Sequence, residues 1–436
     1  MMLSCPVGTA EAGEELMARI LLAGWGTRGD VQSVTTLAGA LHRRGHAVEL
    51  AAPAFMAAEA ARGRVPFAPL GDDPLAWFEA KPSRQHVDTR RVLPRVLPLF
   101  ARQVDQQFAT LLELADDVDA VVGQGLVYGA PAVAEAIGAP YHYLSPNPFF
   151  FASRHHPPLS AKRATMPAWV NRLSWAQFAW FYNVVFRKRI NRQRAALGLG
   201  PIGDAAPHVF DVSRAIAAFD RELYAPPPDV AAALPRAPVG SIPIPTDGAG
   251  LDEATEAFLD AGGPIVAVDF GSMADHRPLQ TGQALLRATR EAGARLLLSR
   301  GWAGLDVPPD ERDRDDVHVV SGVPHDLLFP HVDVVVHHGG VGTAASAGRA
   351  GAVQVIVPHA YDQHASARRL QQAGIAPAPV RRSHAGLTAL GTTLREVFAA
   401  DGLRTRARSV AASIGARDPL DTAAQIVERS LPTTTR

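Results

Sequence analysis

The sequence predicts an α/β protein built from two doubly wound, parallel-sheet domains. Short apolar runs of strand length alternate with helical patterns, which is typical of a parallel sheet covered by helices on both faces. The same alternation starts again near residue 263. The 436 residues exceed what one hydrophobic core usually organises, so two such domains account for the length.

The first unit opens as a strand, a glycine-rich loop and a helix. An apolar run at 20–23 leads into the loop 24–30 (GWGTRGD), and the stretch 33–44 places its apolar residues on one helical face. Further strands are predicted at 47–52 and 118–122, each separated from the next by helical patterns.

The second unit begins with a continuous apolar strand at 264–270, followed by Gly271-Ser272 and a helix over 279–292. Apolar runs of this length, closed by a turn or a helix start, indicate strands buried on both faces. Four more are predicted, at 295–298, 317–320, 332–336 and 353–357.

Prolines mark the boundary between the two units. Seven of them fall within 226–245, a density that breaks regular structure and suits an interdomain connection. The predicted organisation is a loose extension over 1–17, an N-terminal α/β domain over 18–223, a proline-rich linker over 224–262, a C-terminal α/β domain over 263–415, and a C-terminal helix over 416–436.

Composition excludes several classes of protein. Forty-three Lys and Arg balance 43 Asp and Glu, so no net field gathers nucleic acid. The single Cys5 forms neither an internal disulfide nor a cysteine-rich metal site, which indicates a cytoplasmic address. Acidic residues before Met17 argue against a secretory signal and leave Met1 and Met17 as alternative starts. No apolar run is long enough to span a membrane.

Aromatic residues concentrate in one segment: ten of the 29 fall between Phe149 and Phe186, and a basic run follows directly. Three interpretations stay open, namely a well-packed helix, the wall of an apolar ligand pocket, and an amphipathic helix that contacts a membrane surface.

The stretch 334–343 (VVVHHGGVGT) carries the strongest chemical signal. A buried strand runs into glycines and then into a helical stretch at 344–350, so the free N–H groups of the helix start point at a ligand. Thr343 adds a hydroxyl donor and His338 an imidazole, which together favour a phosphate site. His337 points the other way by strand alternation and is predicted to be structural.

Two further positions follow predicted strands. Asp362 and Gln363 come just after the strand at 353–357, at the sheet edge where open α/β sheets bind ligands, and their side chains suit sugar hydroxyls. Asp30 closes the first glycine loop, where it is either a general base or the N-cap of the following helix.

These motifs together resemble the UDP-glycosyltransferase superfamily of inverting Leloir enzymes, especially the bacterial natural-product and sterol glucosyltransferase branches. The resemblance spans nearly the whole chain and rests on segments 26–32, 271–273, 300–302, 323–330, 338–343 and 362–363. It implies the GT-B fold: two facing Rossmann-like domains, the acceptor bound by the first, the nucleotide sugar by the second, and a C-terminal helix that packs back toward the first.

The resemblance also implies roles for individual residues. Asp30 is the expected catalytic base. The diphosphate is expected at Ser272, His338, Gly340, Gly342 and Thr343; the nucleoside at Trp302 and Val323; the sugar at Asp362 and Gln363; and the acceptor at Phe149, Phe150, Trp175 and Phe178. Neither a metal nor a resident cofactor is expected, because the UDP- or dTDP-sugar is a co-substrate.

The expected activity is inverting, metal-independent transfer of a hexose, glucose from UDP-glucose, to a hydroxyl of a hydrophobic small molecule such as a natural product, polyketide, sterol or lipid. The alternatives are a dTDP-deoxysugar transferase and a non-catalytic sugar-nucleotide-binding auxiliary protein. The chain is expected to act as a monomer or homodimer. Relatives often have Pro where Ser33 stands and Pro-Phe-Trp where His364-Ala365-Ser366 follows, so an atypical sugar pocket is expected.

Overall fold

The computed structural model describes residues 17–73, 89–158, 166–246, 248–273, 275–301, 304–312, 314–359 and 362–432, with the backbone alone for 89–97, 99 and 384. Within this part of the chain, no helix is both long and apolar enough to cross a bilayer.

The first sheet has six parallel strands in the order β3-β2-β1-β4-β5-β6. From β1 the strands follow outward on one side as β2 and β3, and the chain then crosses to the other side of β1 to form β4, β5 and β6. The position between β1 and β4 is therefore the topological switch point, where α/β sheets bind ligands. The strands are β1 (Arg19–Trp25), β2 (Ala47–Ala52), β3 (Phe67–Pro69), β4 (Ala120–Gly125), β5 (Tyr141–Ser145) and β6 (Ala215–Ala217).

Helices cover both faces of this sheet. They are α1 (Arg28–Arg43), α2 (Ala57–Arg62), α3 (Thr89–Glu113), α4 (Ala130–Ile137), α5 (Ala168–Tyr182), α6 (Lys188–Ala196), α7 (Ala205–Val209) and α8 (Pro228–Ala233). A π-helical turn, Asn183–Arg187, joins α5 to α6, and short 3-10 turns lie at Ala54–Met56, Pro148–Phe150 and Val212–Arg214.

The second sheet has five parallel strands in the order β11-β10-β7-β8-β9, with its switch point between β7 and β10. The strands are β7 (Ile265–Asp269), β8 (Arg295–Ser299), β9 (Val317–Val320), β10 (Val334–His337) and β11 (Val353–Ile356). The helices are α9 (Glu253–Asp260), α10 (Pro278–Glu291), α11 (His325–Leu328), α12 (Val341–Ala350), α13 (Gln363–Gln372), α14 (His384–Ala399), α15 (Asp401–Gly415) and α16 (Pro419–Glu428), with 3-10 turns at Pro309–Glu311 and Phe329–His331.

The segment after β6 joins the two units. Tyr224 is fully buried in the core that surrounds the second sheet, and its hydroxyl lies 2.8 Å from Ser366 Oγ at the start of α13. Arg417 reaches back from the end of the second unit to Glu222 at 2.6 Å and to the buried Asp220 at 3.3 Å. Apolar packing and a charged cluster therefore hold the domains together.

Helix α16 returns to the first unit and packs on α1. The guanidinium of Arg44, just past α1, binds Glu428 at 2.6 Å and Asp421 at 2.7 Å. Apolar residues of α16, Ile426 and Val427 among them, belong to the same core as the inner face of α1.

The predicted α/β fold class is confirmed, and two details of the first unit differ from the prediction. Helix α1 begins at Arg28 rather than at residue 33. The prediction placed the start too late because the first turn of the helix is mostly polar and shows no apolar periodicity. Strands β3, β5 and β6 were not predicted. The first and last have three residues each, and β5 (YHYLS) lacks a continuous apolar run.

Candidate active site

Asp30 lies in the first turn of α1, beside the switch point of the first sheet. Thr27 is the N-cap, and Asp30 occupies the third helical position, where its carboxylate completes a capping box with Thr27. The interpretation of Asp30 as the N-cap was therefore wrong, because the N-cap is Thr27, three residues earlier. Gly26 has a φ of +148° and a Cβ there would lie 2.7 Å from Asp30 Oδ2, so only glycine allows this loop.

The two oxygens of the Asp30 carboxylate have different environments. Oδ2 accepts hydrogen bonds from the backbone N–H and the hydroxyl of Thr27, both at 2.9 Å. No donor among the described residues reaches Oδ1. Burial raises the pKa of Asp30 from its usual value, and the hydrogen bonds from Thr27 offset only part of that rise. The carboxylate is thus fixed at one oxygen and available at the other.

The glycine loop after β10 fits the predicted phosphate site. Gly340 is the N-cap of α12, whose first N–H groups have no intrahelical partners. The buried His338 ring lies against both loops of the switch point: a Cβ would come within 2.4 Å of His338 Nε2 at Gly340 and within 2.9 Å of Cε1 at Gly271. Burial lowers the pKa of His338 to about 4, so its imidazole is neutral near pH 7.

His337 has a structural role, as predicted. It is fully buried, and its Nδ1 accepts from the Gly339 N–H at 3.1 Å. The ring proton therefore sits on Nε2, which donates to Gln354 Oε1 at 3.0 Å. This arrangement fixes the backbone at the start of the glycine loop.

An acid–base pair that sequence reasoning missed lies under the same loop. Asp269 ends β7, and its Oδ2 is 2.5 Å from Nε2 of His325, while its Oδ1 accepts from the N–H of Gly271. The His325 ring stacks on Phe329 at 4.6 Å. Segment 323–330 was singled out for its motif, but the sequence signal for the pair was only a carboxylate at the end of an apolar strand.

The surroundings of the Asp269–His325 pair favour its ionised form. Burial alone would raise the pKa of Asp269, but the charge and hydrogen bond of His325 lower it to about 2. Burial likewise opposes protonation of His325, yet the charge and hydrogen bond of Asp269 raise its pKa above the usual value. Asp269 therefore favours the cationic form of His325 beside the loops that carry Gly271 and His338.

Asp362 directly precedes α13, as the N-cap of that helix. It is half-buried, and no cation among the described residues pairs with it. Burial raises the pKa of Asp362 to about 7, and the negative charge of Asp30 contributes to that rise. The influence of Asp30 on Asp362 is electrostatic and acts between groups of the two domains.

The neighbouring Gln363 is buried and bridges two loops. Its Oε1 accepts from the His359 N–H at 2.8 Å, and its Nε2 donates to Met273 Sδ at 3.2 Å. Its predicted contact with a sugar therefore competes with contacts already made inside the protein. Met273 follows Ser272, so Gln363 connects the β11 edge of the site to the β7 loop.

The other residues predicted to bind the donor lie in the segments that follow strands β7, β9 and β10 of the second sheet. Thr343 is buried and Gly342 exposed in the first turn of α12. Ser272 is half-buried in the loop after β7, and Val323 is half-buried two residues before His325. The predicted nucleoside contact Trp302 lies outside the described residues.

The predicted acceptor aromatics divide into two groups. Phe149 is 1% exposed and packs edge-on against Tyr224 in the interdomain core. Phe150 and Phe178 are half-buried against the first domain's core, and the half-buried Trp175 packs edge-on against Phe178 at 5.4 Å. The Trp175 indole N–H donates to the carbonyl of His156 at 2.8 Å.

Comparison with known proteins identifies the family. The glycosyltransferase family 28 N-terminal domain matches residues 20–152, and the erythromycin biosynthesis protein CIII-like C-terminal domain matches residues 309–429. Glycosyltransferase GtfE of Amycolatopsis orientalis is 35% identical over 413 residues, covering 91% of this chain and 94% of that protein. The chain belongs to the GT-B glycosyltransferases. The resemblance seen in the sequence motifs is confirmed.

Other GT-B glycosyltransferases of Amycolatopsis orientalis carry more specific names. Vancomycin aglycone glucosyltransferase is 30% identical, with 91% of this chain and 96% of that protein covered. dTDP-epi-vancosaminyltransferase is also 30% identical, with 90% and 92% covered. The crystal structure of the glycotransferase of kitacinnamycin superposes with a TM-score of 0.72 over 95% of this chain and 100% of that one, at 20% identity, which confirms the fold.

Proposed function

We propose that the chain transfers a hexose, glucose from UDP-glucose, to a hydroxyl group of a hydrophobic small molecule, with inversion at the anomeric carbon and without a metal ion. One observation carries the proposal. Asp30 and Asp362 follow strands of opposite domains, and they are close enough that the charge of Asp30 raises the pKa of Asp362. A sugar bound at Asp362 then has its anomeric carbon within reach of an acceptor oriented by Asp30.

Asp30 is the proposed general base. Its raised pKa makes it a stronger base than an exposed aspartate, and its free Oδ1 is open to an acceptor hydroxyl. As the hydroxyl oxygen forms its bond to the anomeric carbon, its proton passes to Oδ1. The bond between that carbon and the diphosphate oxygen breaks on the opposite face, so the configuration inverts.

Negative charge that grows on the departing diphosphate is met by fixed groups of the second domain. The first N–H groups of α12 point at the phosphate position, and the helix dipole favours an anion there. His325 adds a positive charge that Asp269 holds in place. Preorganised dipoles and charges of this kind stabilise a transition state without reorganisation during the reaction.

Asp362 is the proposed sugar ligand. With a pKa of about 7, it is partly protonated at neutral pH, so its carboxyl group can donate a hydrogen bond to one sugar hydroxyl and accept one from another. A sugar that replaces water here buries the group further, which favours the protonated form.

UDP-glucose is the proposed donor and a dTDP-deoxysugar the second candidate, and the name of one relative supports each. The vancomycin aglycone glucosyltransferase supports glucose, and the dTDP-epi-vancosaminyltransferase supports a dTDP-deoxysugar. The non-catalytic alternative is less well supported, because both Asp30 and the glycine loop of His338 are intact.

Thermal unfolding with UDP, dTDP, UDP-glucose and dTDP-glucose, each with and without EDTA, tests the donor half of this proposal. A ligand at a hundredfold excess over its dissociation constant stabilises the folded state by about 2.7 kcal/mol. We expect a shift with one nucleotide family that EDTA does not remove. A shift that EDTA abolishes contradicts metal independence.

Asp30→Asn tests the catalytic half. We expect transfer to a hydroxylated acceptor to fall by about 10²- to 10⁴-fold, because the base is lost. The nucleotide-induced thermal shift should persist, since the second domain is unchanged. A variant that retains full transfer, or wild-type protein that binds nucleotide but transfers no sugar to any hydroxyl acceptor, supports a different role.

A further inference from the structure

One face of α5 and the following π-helical turn carries large apolar side chains that are exposed to solvent. Trp169 is 68% exposed, and Leu173, Trp180 and Val184 are each 64% exposed. Their spacing of four, seven and four residues puts them on a single side of the helix. We call these four residues the α5 outer face.

The opposite side of the same helix is buried in the first domain. Phe178 packs on Tyr182 at 4.6 Å and Tyr182 on Phe186 at 5.1 Å, within the core of that domain. The outer face is therefore a second apolar surface of this helix, separate from the one that packs into the domain core. A helix that carries apolar side chains on two opposite sides normally buries both of them.

The outer face is unusual for this molecule. Eight large apolar side chains are exposed in the described part of the chain, and four of them form this one face. Exposed apolar residues that occur singly need no explanation, whereas a contiguous group on one helix indicates a binding surface.

The charge around this helix has one sign. Although the whole chain is balanced, no acidic residue occurs between Glu135 and Asp204, and nine Lys or Arg residues do. Arg189 and Arg192 are paired with Asp105 of α3. Other cations beside the outer face are exposed and have no acidic partner among the described residues, namely Arg172 and Lys188.

We propose that the α5 outer face lies on the surface of a lipid bilayer that contains anionic headgroups. Two tryptophans with an apolar body and a polar N–H suit the boundary between headgroups and acyl chains, and the neighbouring cations suit anionic lipid. No described helix spans a bilayer, so the contact is peripheral. A second copy of the chain fits less well, because it brings cations of the same sign to the interface.

Vesicle sedimentation with the full chain tests this proposal, and it reads lipid binding without reference to sugar transfer. Sucrose-loaded vesicles of phosphatidylcholine alone are compared with vesicles that also contain phosphatidylglycerol, at low and at high salt. We expect sedimentation with the anionic vesicles, and weaker sedimentation as salt screens the cations. Failure to bind either vesicle overturns the proposal and leaves the proposed transfer reaction untouched.

Variants separate the two contributions. Trp169→Ser/Trp180→Ser removes apolar area from exposed positions, so the fold is retained, and we expect at least about tenfold weaker binding, since membrane affinity scales with buried apolar area. Lys188→Glu should weaken binding to anionic vesicles specifically. Leu279→Ser, at an exposed apolar position of α10, is the matched control and should bind like the wild type.

Light scattering distinguishes the competing occupant. If the wild type is a dimer, the double tryptophan variant is a monomer, and neither binds vesicles, the outer face is an interface between copies and the proposal is overturned. Vesicle binding that is unchanged in the double tryptophan variant overturns it as well.

Discussion

Replacing Asp362 by Asn should stabilise the protein, and the gain should grow with pH. The folded-state pKa of Asp362 is raised from 3.8 to about 7, so the contribution of this group to stability is full below its unfolded pKa and is lost as pH rises through about 7. A shift of that size corresponds to about 4 kcal/mol against ionisation in the fold. Asn occupies the same space and does not ionise, so the variant escapes this loss.

The measurement is the free energy of unfolding in urea at pH 5 and pH 8. Between these values we expect the advantage of Asp362→Asn over the wild type to grow by about 3 kcal/mol, because only the unfolded wild-type carboxylate ionises freely over most of the interval. Asp310→Asn removes an exposed carboxylate and controls for the loss of one charge. In an Asp30→Asn background the gain should shrink, since the charge that helps to raise the pKa is gone.

An advantage of the same size at pH 5 and pH 8 refutes the electrostatic reasoning. It would mean that Asp362 ionises in the folded protein as readily as in the unfolded chain, and that Asp30 exerts no influence across the cleft. The expected result instead identifies a carboxyl group kept at a stability cost, which is typical of a binding site.

Three further predictions concern other parts of the molecule. Asp269→Asn removes the counterion of His325, so we expect the free energy of unfolding at pH 7 to fall by about 3–5 kcal/mol. Sugar transfer should fall more at pH 7.5 than at pH 6, because the imidazole of His325 then loses its proton at a lower pH. Equal losses of transfer at both pH values contradict a role for the cation. Gly26→Ala pushes a methyl group into the Asp30 carboxylate, so kcat should fall while the nucleotide-induced thermal shift is retained; an unchanged kcat argues against that contact. Arg417→Met leaves a buried carboxylate unpaired between the domains and should lower the free energy of unfolding by about 3–5 kcal/mol, with Arg429→Met as a surface control.

The predictable part of the fold was the part with strong local signals. Strands such as β7 and β10 are apolar up to their last residue, and a glycine follows each of them closely, so both their type and their order along the chain were readable. The parallel topology then brings their carboxyl ends to one edge, which is why His338 and Gly271 meet. Strand β5 was missed because polar side chains alternate within it.

The missed part of the site depends on pairing between distant positions. Asp269 and His325 are 56 residues apart, and neither has a local pattern that indicates the other. The contact between Gln363 and Met273, which are 90 residues apart, likewise has no local signal in the sequence. Local sequence therefore predicted which loops form the site, and only the fold determined which side chains in them are free.

The return of α16 to α1 has a consequence for the order in which the protein matures on the ribosome. About 200 residues separate the last strand of the first sheet from α16, and at roughly 5–20 residues per second their synthesis takes about 10–40 s. During that interval the apolar side of α1 that Ile426 and Val427 cover is open, and Arg44 lacks its two carboxylates. The first domain is thus completed only after the second has been made.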